Sequence, residues 1–246
     1  LLIVDGITSI GAVPVSMEEF KVDVFITGSQ KCLETPPGLS FVALSETAVE
    51  KLKKHFRDDN IAFDSIAGYY NHLALYLYSW LRKKDLPFTG AVPLYYALQA
   101  ALTSILEEGL NRRFKRISLI SSILRRALRS MGLRLLLEVR DNVDIDKYSS
   151  PTVTAVSYPE RIRGKEGDKQ FRSIIRNLGI LIAGGQSELK GHIFRVATMG
   201  SVGPREIIAT VGAIEYALRK MGYEPAKSGV AEVLRLMERE NIEEIL

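Results

Sequence analysis

Short apolar runs occupy the beginning of the chain, and helically spaced apolar positions dominate the rest of it. Continuous apolar runs at residues 1–4, 22–27 and 39–44 predict short buried strands, because strands covered on both faces are continuously apolar rather than alternating. The first two runs are too far apart in sequence to form a hairpin, which favours parallel pairing. Ser45, followed by Glu46, predicts the N-terminus of a helix that continues to about residue 54.

Two long helices and a smaller mixed region are predicted farther along the chain. Helical periodicity covers residues 93–108 and 112–130, and Gly109 separates the two stretches. The later pattern predicts strands at 152–157, 180–183 and 192–198, and helices at about 171–178, from 204 and from 230. The sequence therefore predicts an α/β protein with a large domain over residues 1–145 and a smaller α+β domain over residues 146–246.

The charge pattern favours neither a nucleic-acid-binding protein nor a membrane protein. The 246 residues carry a net charge of +4, and the charged side chains are spread along the chain. The densest basic cluster falls on the second long helix, and we interpret it as a solvated face opposite a buried stripe. Its members are Arg112, Arg113, Lys115, Arg116, Arg125, Arg126 and Arg129. No apolar run is long enough to span a membrane.

Cysteine and histidine usage predicts neither a disulfide framework nor a metal site. Cys32 is the only cysteine, and the three histidines lack the spacing of metal ligands. A reducing, cytoplasmic compartment is therefore expected. The aromatic stretch at residues 56–87 is interpreted mostly as core or interface packing. Because the chain begins without methionine and inside a predicted strand, we expect a preceding N-terminal segment to be missing from it.

An aspartate and a lysine follow the first two predicted strands. Asp5 ends the first apolar run, and Lys31 ends the segment 27–31 that follows the second. Parallel neighbours present their carboxyl ends at the same edge of a sheet, so a carboxylate and an amine are predicted to meet there. This is the pair that a pyridoxal phosphate (PLP) enzyme needs, with the lysine as Schiff base and the acid on the pyridine nitrogen.

Several further motifs extend this pattern over nearly the whole chain. They lie at residues 4–11, 22–31, 36–38, 87–89, 191–196 and 199–200. Together they resemble the class V PLP-dependent aminotransferases, nearest to the alanine–glyoxylate and serine–pyruvate branch. The resemblance implies the fold-type I architecture, with a mainly parallel sheet in the large domain and a smaller C-terminal domain. It also implies a homodimer, because family sites lie at the subunit interface.

The resemblance implies a role for each residue at the predicted sheet edge. Lys31 matches the catalytic lysine that holds the cofactor, and Asp5 matches the partner of the pyridine nitrogen. The alternative for Asp5 is a carboxylate that caps the loop after a strand. Ile7 corresponds to a residue that packs on the cofactor ring, and simple core packing is nearly as good an explanation.

Ser29 and Gln30 match positions that donate hydrogen bonds to the cofactor phosphate. Gln30 also argues against a desulfurase, since the related cysteine desulfurases carry a histidine before the lysine and need a mobile cysteine farther on. Cys32 directly follows Lys31 and is interpreted as structural.

Two more residues are assigned by the resemblance. Thr89 matches a threonine that reaches the neighbouring subunit's phosphate, although Leu86 stands where a tyrosine usually accompanies it, and a turn threonine is an equal alternative. Arg195 matches the residue that binds the substrate carboxylate, because a guanidinium forms a planar bidentate pair with a carboxylate. The alternative for Arg195 is a structural salt bridge.

The predicted function is transfer of an amino group from alanine or serine to a 2-oxo acid such as glyoxylate or pyruvate. Two alternatives remain open at this point. The chain is a non-catalytic fragment or a subunit that needs a partner chain, or it is another class V PLP enzyme such as a lyase.

Overall fold

The computed structural model describes residues 1–63, 68–139 and 145–242. The chain divides into two compact units. The first unit comprises Leu1–Ile10 and Pro14–Ser104, and the second comprises Gly11–Val13 and the chain from Ile105 onward. The predicted domain boundary at 145/146 adjoins residues 140–144, which lie outside the described residues, and it stays a prediction.

The first unit contains a three-stranded sheet in the order β1-β2-β3. Its strands are β1 (Ile3–Asp5), β2 (Val24–Gly28) and β3 (Ser40–Leu44). β1 and β2 run parallel, with Asp5 opposite Ile26, which confirms the predicted parallel pairing. β3 pairs antiparallel to β2. Both parallel strands therefore end at the same edge of the sheet, where Asp5 and Gly28 lie.

The prediction that all three strands are buried is wrong for β1 and β3. β2 is buried at four of its five positions, whereas no residue of β1 or β3 is fully buried. Leu1, Leu2 and Ile3 are 57%, 49% and 60% exposed. The physical reason is position, because β1 and β3 lie at the edges of this sheet and β2 lies between them.

The helices of the first unit are α1 (Glu46–Lys53), α2 (Leu73–Tyr78) and most of α3 (Val92–Glu108), whose residues from Ile105 onward belong to the second unit. A π-helical turn follows α2 at Ser79–Lys83. The predicted cap of α1 is confirmed, because the Ser45 hydroxyl accepts a hydrogen bond from the Ala48 backbone N–H at 3.2 Å. Tyr78 joins a small apolar core. Tyr70 and Trp80 are more than half exposed, so the expected core packing is wrong for them, and interface packing stays a prediction.

The second unit combines helices with an antiparallel sheet in the order β4-β6-β5. The helices are α4 (Leu110–Ser130), α5 (Ile145–Tyr148), α6 (Lys165–Asn177), α7 (Pro204–Lys220) and α8 (Gly229–Arg239). The strands are β4 (Val153–Ser157), β5 (Ala183–Gly184) and β6 (Ile193–Ala197), and short 3-10 helices lie at Leu136–Val139 and Ser187–Leu189. The strand predicted at 180–183 is thus shorter and later than expected.

The main core of the molecule lies in this second unit. It is built from side chains of α4, α6, α7, α8 and the inner face of the sheet, including Ile120, Leu124, Phe171, Phe194, Val211 and Ile214. Each of these six side chains is fully buried. The apolar stripe predicted for α4 is therefore confirmed.

The interpretation of the basic cluster on α4 as a solvated face is wrong for three of its members. Arg113, Arg116 and Arg125 are only 2%, 8% and 5% exposed. Arg113 and Arg116 share a helix face with Ile117 and Ile120, since residues three, four and seven apart lie on one side of a helix. That spacing was the signal in the sequence, and a buried arginine requires partners that the sequence does not reveal.

Glu108 at the end of α3 supplies the main partner for two of these arginines. Its carboxylate accepts hydrogen bonds from Arg113 Nη1 at 3.0 Å and from Arg116 Nε at 2.6 Å. The carbonyl of Gly11 accepts from Arg113, and the carbonyls of Gly200 and Val202 accept from Arg116. The paired charges thus hold two separate loops against α4.

We expect Glu108→Gln to lower the free energy of unfolding by about 1.5–3 kcal/mol near neutral pH, because a charged acceptor of two arginines is lost. Burial alone would raise the pKa of Glu108, but the hydrogen bonds from Arg116 and Arg113 outweigh it and keep the pKa below its ordinary value of 4.5. A depressed folded pKa means that this stabilisation is present above pH 4.5 and is lost as the pH falls through the folded pKa.

Urea denaturation of the wild type and the variant at neutral and acidic pH measures this effect. The difference between the two proteins should shrink in acid, where the wild-type carboxyl is itself protonated. Glu160→Gln is the matched control, since Glu160 pairs with Arg163 on the surface. Equal stability of Glu108→Gln and the wild type at neutral pH would show that the pairing has no net effect.

Candidate active site

The edge of the sheet where β1 and β2 end is the candidate site. Asp5 ends β1, and its carboxylate Oδ1 accepts a hydrogen bond from the backbone N–H of Ile7 at 2.9 Å. This bond fixes one carboxylate oxygen and leaves the other for a ligand. The carboxyl ends of parallel strands are where open α/β sheets bind ligands.

A cavity of about 370 Å³ opens at this edge. Its volume falls in the range of small-molecule sites, roughly 300–1,000 Å³. The lining residues come from both strand ends and from the loop before β3: Asp5, Ile7, Ile26, Thr27, Gly28, Gln30, Gly38, Leu39 and Ser40. Three of the predicted site residues, Asp5, Ile7 and Gln30, are therefore brought together around one cavity.

Gly28 permits this arrangement at the end of β2. A Cβ atom at this position would lie 2.8 Å from Gln30 Oε1 and 3.3 Å from Ile7 Cδ1. Both side chains fold closely over the strand end only because residue 28 carries none. A larger residue would displace Gln30 or Ile7 and change the wall of the cavity.

Ser29 is completely buried and does not line the cavity. Its hydroxyl donates to the Pro36 carbonyl at 2.7 Å and accepts from the Leu39 backbone N–H at 3.3 Å. These bonds fasten the loop that contributes Gly38 and Leu39 to the cavity wall. The predicted phosphate contact of Ser29 would require its hydroxyl to leave the Pro36 carbonyl, and it stays a prediction.

Lys31 lies in the turn that follows β2 and is partly buried. Its neighbour Cys32 is completely buried, and the Cys32 thiol donates to the Thr8 carbonyl at 3.3 Å. Because Thr8 belongs to the loop after Asp5, this contact holds the lysine-bearing turn beside that loop. The interpretation of Cys32 as structural fits its burial, and a buried thiol does not suit the mobile nucleophile of a desulfurase. The catalytic role of Lys31 stays a prediction.

Thr89 is exposed and does not line the cavity. Leu86, which stands at the position of the usual tyrosine, is 48% exposed. An exposed threonine is free to contact another subunit, and the predicted contact of Thr89 with a neighbouring subunit stays a prediction.

Arg195 lies in the second unit, on the central strand β6 of the antiparallel sheet. Its Nε donates a hydrogen bond to the Gly184 carbonyl at 2.9 Å. Ala155 and Ala183 stand directly opposite it on β4 and β5, and opposite residues of antiparallel strands share a face. The two residues that share this face of the sheet with Arg195 are therefore small. Among the described residues no carboxylate pairs with Arg195, so the alternative of a structural salt bridge has no partner there.

Neither a membrane-spanning helix nor a metal site is found in the described part of the chain. No helix there is long and apolar enough to cross the bilayer. Residues 1–63, 68–139 and 145–242 contain no cluster of three His, Cys, Asp or Glu side chains suited to a metal ion.

The side chains at the sheet edge suit a PLP molecule. The Asp5 carboxylate is the acceptor that a protonated pyridine nitrogen requires, and the apolar side chain of Ile7 offers a surface for the flat ring. The amide of Gln30 is a donor that lines the cavity, whereas the hydroxyl of Thr27 already donates to the Gly6 carbonyl at 3.4 Å. The donor set and the cavity volume are therefore consistent with this cofactor.

Comparison with known proteins supports this description. A family model described as Aminotransferase class-V matches residues 1–147. An uncharacterised aminotransferase from Methanocaldococcus jannaschii is 40% identical over 231 residues, which are 94% of this chain and 55% of that protein. A serine–glyoxylate aminotransferase from Arabidopsis thaliana is 32% identical over 239 residues, 94% of this chain and 53% of that protein.

A solved structure confirms the predicted fold type. The crystal structure of an alanine–glyoxylate aminotransferase from Nostoc sp. aligns with a TM-score of 0.74 at 32% identity, over 89% of this chain and 54% of that one. The chain spans about half the length of the curated relatives it matches. Enzymes of the matched family depend on PLP. Since the family match covers more than half of the sequence, the chain belongs to the class-V aminotransferases.

Proposed function

We propose that this chain provides the PLP-binding part of an aminotransferase that moves an amino group from alanine or serine to a 2-oxo acid such as glyoxylate or pyruvate. The observation that carries the proposal is the cavity at the carboxyl edge of β1 and β2, where Asp5, Ile7 and Gln30 meet. Lys31 directly follows Gln30 in the same turn.

PLP, when bound, supplies an electron sink for the carbanion that forms on the substrate. Asp5, whose orientation is fixed by the Ile7 N–H, would maintain a proton on the ring nitrogen. Ile7 would cover one face of the ring and exclude water from it. Gln30 would donate its amide to the phosphate group.

Lys31 has two tasks in the proposal. Its amine would hold the cofactor, and once an amino acid is bound the same amine would act as the base for the proton on the substrate α-carbon. Both tasks require the amine in its unprotonated form, because only that form has a lone pair for bonding or for taking a proton.

Arg195 binds the carboxylate that donor and acceptor have in common. A guanidinium with Nε fixed by the Gly184 carbonyl retains its two Nη groups for a bidentate pair. The same bidentate pair would then orient the amino donor and the 2-oxo acid acceptor by their carboxylates, in the two half-reactions in turn.

The names of two similar proteins support the proposed substrates. The Arabidopsis protein is a serine–glyoxylate aminotransferase, and the Nostoc protein is an alanine–glyoxylate aminotransferase. Both names combine a small amino donor with glyoxylate.

We expect the purified chain, supplied with PLP, to form glycine from glyoxylate when alanine or serine is the donor. Chromatographic measurement of glycine and of the 2-oxo acid product checks both halves of the reaction. Aspartate is the control donor, because its second carboxylate adds a charge that a site for small donors does not need. Turnover with aspartate alone would contradict the proposed donor class, and absence of turnover with every donor would contradict activity of this chain by itself.

A second candidate is a subunit that another chain completes. The exposed apolar residues at the start of β1, Leu1 to Ile3, favour it, since a strand edge of this kind is a ready template for pairing with another strand. Light scattering distinguishes the homodimer that the family resemblance implies from a monomer. Activity that appears only after a second polypeptide is added would favour the subunit.

A further inference from the structure

A buried carboxylate lies within the second unit, in a position that the proposed chemistry does not use. Asp168 belongs to α6 and is 4% exposed. Its Oδ1 accepts hydrogen bonds from the Tyr158 hydroxyl and from Arg172 Nε, each at 3.0 Å. Its Oδ2 accepts from Arg172 Nη2 at 2.6 Å. The carboxylate is therefore held in a bidentate pair and by a third donor.

The protonation states follow from these contacts. Burial alone would raise the pKa of Asp168, but the hydrogen bonds from Arg172 and Tyr158 outweigh it and keep the pKa below its ordinary value. Burial, and then the charge of Asp168, raise the pKa of Tyr158 above its ordinary value. Asp168 is consequently charged and Tyr158 is a neutral donor.

The ion pair packs directly against the backbone of Gly184. A Cβ atom on Gly184 would lie 3.0 Å from Asp168 Oδ1 and 3.2 Å from Arg172 Nε. Gly184 is one of only two residues in β5, which is an edge strand and pairs with β6 alone. A strand of two residues forms few backbone hydrogen bonds with its neighbour β6. The side chains of Asp168 and Arg172 on α6 therefore add contacts that help to hold β5 in place.

Gly184 also holds Arg195. The Gly184 carbonyl accepts the hydrogen bond from Arg195 Nε at 2.9 Å. One residue therefore contacts the Asp168–Arg172 pair and binds the arginine proposed to recognise the substrate. The ion pair and the guanidinium of Arg195 therefore meet at one backbone position.

Tyr158, which donates to Asp168 Oδ1 and not to the oxygen that accepts Arg172's second hydrogen bond, is itself held by aromatic packing. Its ring packs against Phe171 and Phe194, with ring centroids 5.3 Å apart in each case. Phe194 pairs with Gly184 across the sheet. The hydroxyl of a fixed ring thus sets the position of Asp168.

We propose that Tyr158, Asp168 and Arg172 are positioning residues that fix the Gly184 carbonyl and thereby the guanidinium of Arg195. The functional consequence rests on the proposed role of Arg195, whereas the positioning itself does not. The sequence carried a signal for this group, since Asp168 shares a helix face with Phe171 and Ile175 and is the polar member of that stripe.

The hydrogen bond from Arg195 is the quantity to measure, because it depends on neither cofactor nor activity. The Nε–H of arginine is observable by ¹H–¹⁵N NMR, and Arg195→Lys assigns the signal by its disappearance. We expect Asp168→Asn and Gly184→Ala to shift this signal and to speed its exchange with water by about 2- to 13-fold, the equivalent of one net hydrogen bond. Tyr158→Phe, which retains the aromatic packing, should act in the same direction with less risk to folding.

Glu232→Gln is the matched control, because Glu232 forms a comparable ion pair with Arg235 on α8. It should leave the Arg195 signal unchanged. An Arg195 Nε–H that is equally protected in the wild type, Asp168→Asn and Tyr158→Phe would overturn the proposal. The proposal would also be overturned if the Arg195 Nε–H of the wild type exchanged with water as fast as an unprotected arginine.

Kinetics separates this proposal from the proposed function. We expect Asp168→Asn to raise KM for the amino donor by about 2- to 30-fold with kcat nearly unchanged, and to have no further effect in an Arg195→Met background. If Asp168→Asn shifts the NMR signal while Arg195→Met leaves KM unchanged, the positioning stands and the role of Arg195 fails. If Arg195→Met raises KM but Asp168→Asn changes neither quantity, the role of Arg195 stands and the positioning fails.

Discussion

Replacing Lys31 by alanine should leave a folded chain that transaminates at least about 10²- to 10⁴-fold more slowly, the range associated with loss of a general acid–base group. The variant also loses the covalent bond to PLP, so gel filtration should remove the cofactor that the wild type retains. Steady-state rates with alanine and glyoxylate, together with the absorbance of the filtered protein, measure both effects.

Lys51→Ala is the matched control for Lys31→Ala, because Lys51 lies on an exposed position of α1 in the same unit. It should retain both cofactor and rate. A small amine such as methylamine should restore part of the lost rate in Lys31→Ala, since it can take the α-proton in place of the side chain. Full activity of Lys31→Ala would show that Lys31 is neither the residue that holds PLP nor the base.

Replacing Arg195 by lysine should raise KM for the amino donor by about 10- to 150-fold, because one of two hydrogen bonds to a charged group is lost. The charge is retained in this variant, so the effect reports the planar fork of the guanidinium rather than attraction alone. The value of kcat should change much less, since the carboxylate is bound similarly in the ground state and the transition state.

Arg205→Lys is the control for Arg195→Lys, because Arg205 is almost fully exposed near the start of α7. The decisive comparison is between an amino acid and the corresponding amine without a carboxylate. Arg195→Lys should weaken binding of the amino acid and leave binding of the amine unchanged. An equal loss for both compounds would mean that Arg195 supports the fold and does not bind the carboxylate.

Local patterns predicted much of the fold because they report burial and capping directly. The apolar run of β2 and the alternation of β4 are properties of the segments themselves, and Ser45 caps α1 as predicted. The length of β5 could not be predicted in the same way. The residues at 180–183 are apolar enough for a strand, but only Ala183 and Gly184 have β6 as a neighbour.

The candidate site was predictable where residue type and chain position suffice. Asp5, Ile7 and Gln30, which the strand pattern and the family resemblance singled out, line one cavity, and their roles toward the cofactor stay predictions. The direction of the Ser29 hydroxyl was not predictable, because it depends on the carbonyl of Pro36 in a loop whose path no local pattern gives.

The buried charges were missed for a related reason. Arg116 binds carbonyls of Gly200 and Val202, far along the chain, and only the tertiary fold brings them together. Asp168 likewise depends on Tyr158 from outside its helix. In both cases the charged residue falls on an apolar helix stripe, which is the sequence signal that identifies such positions.

Borohydride reduction of the wild-type chain with PLP, followed by peptide mass mapping, tests most directly whether the sheet edge is a cofactor site. The expected result is a pyridoxyl group on the peptide that contains Lys31 and on no other lysine. A pyridoxyl group on a different lysine, or no stable adduct at all, would contradict the assignment of Lys31 as the residue that holds PLP.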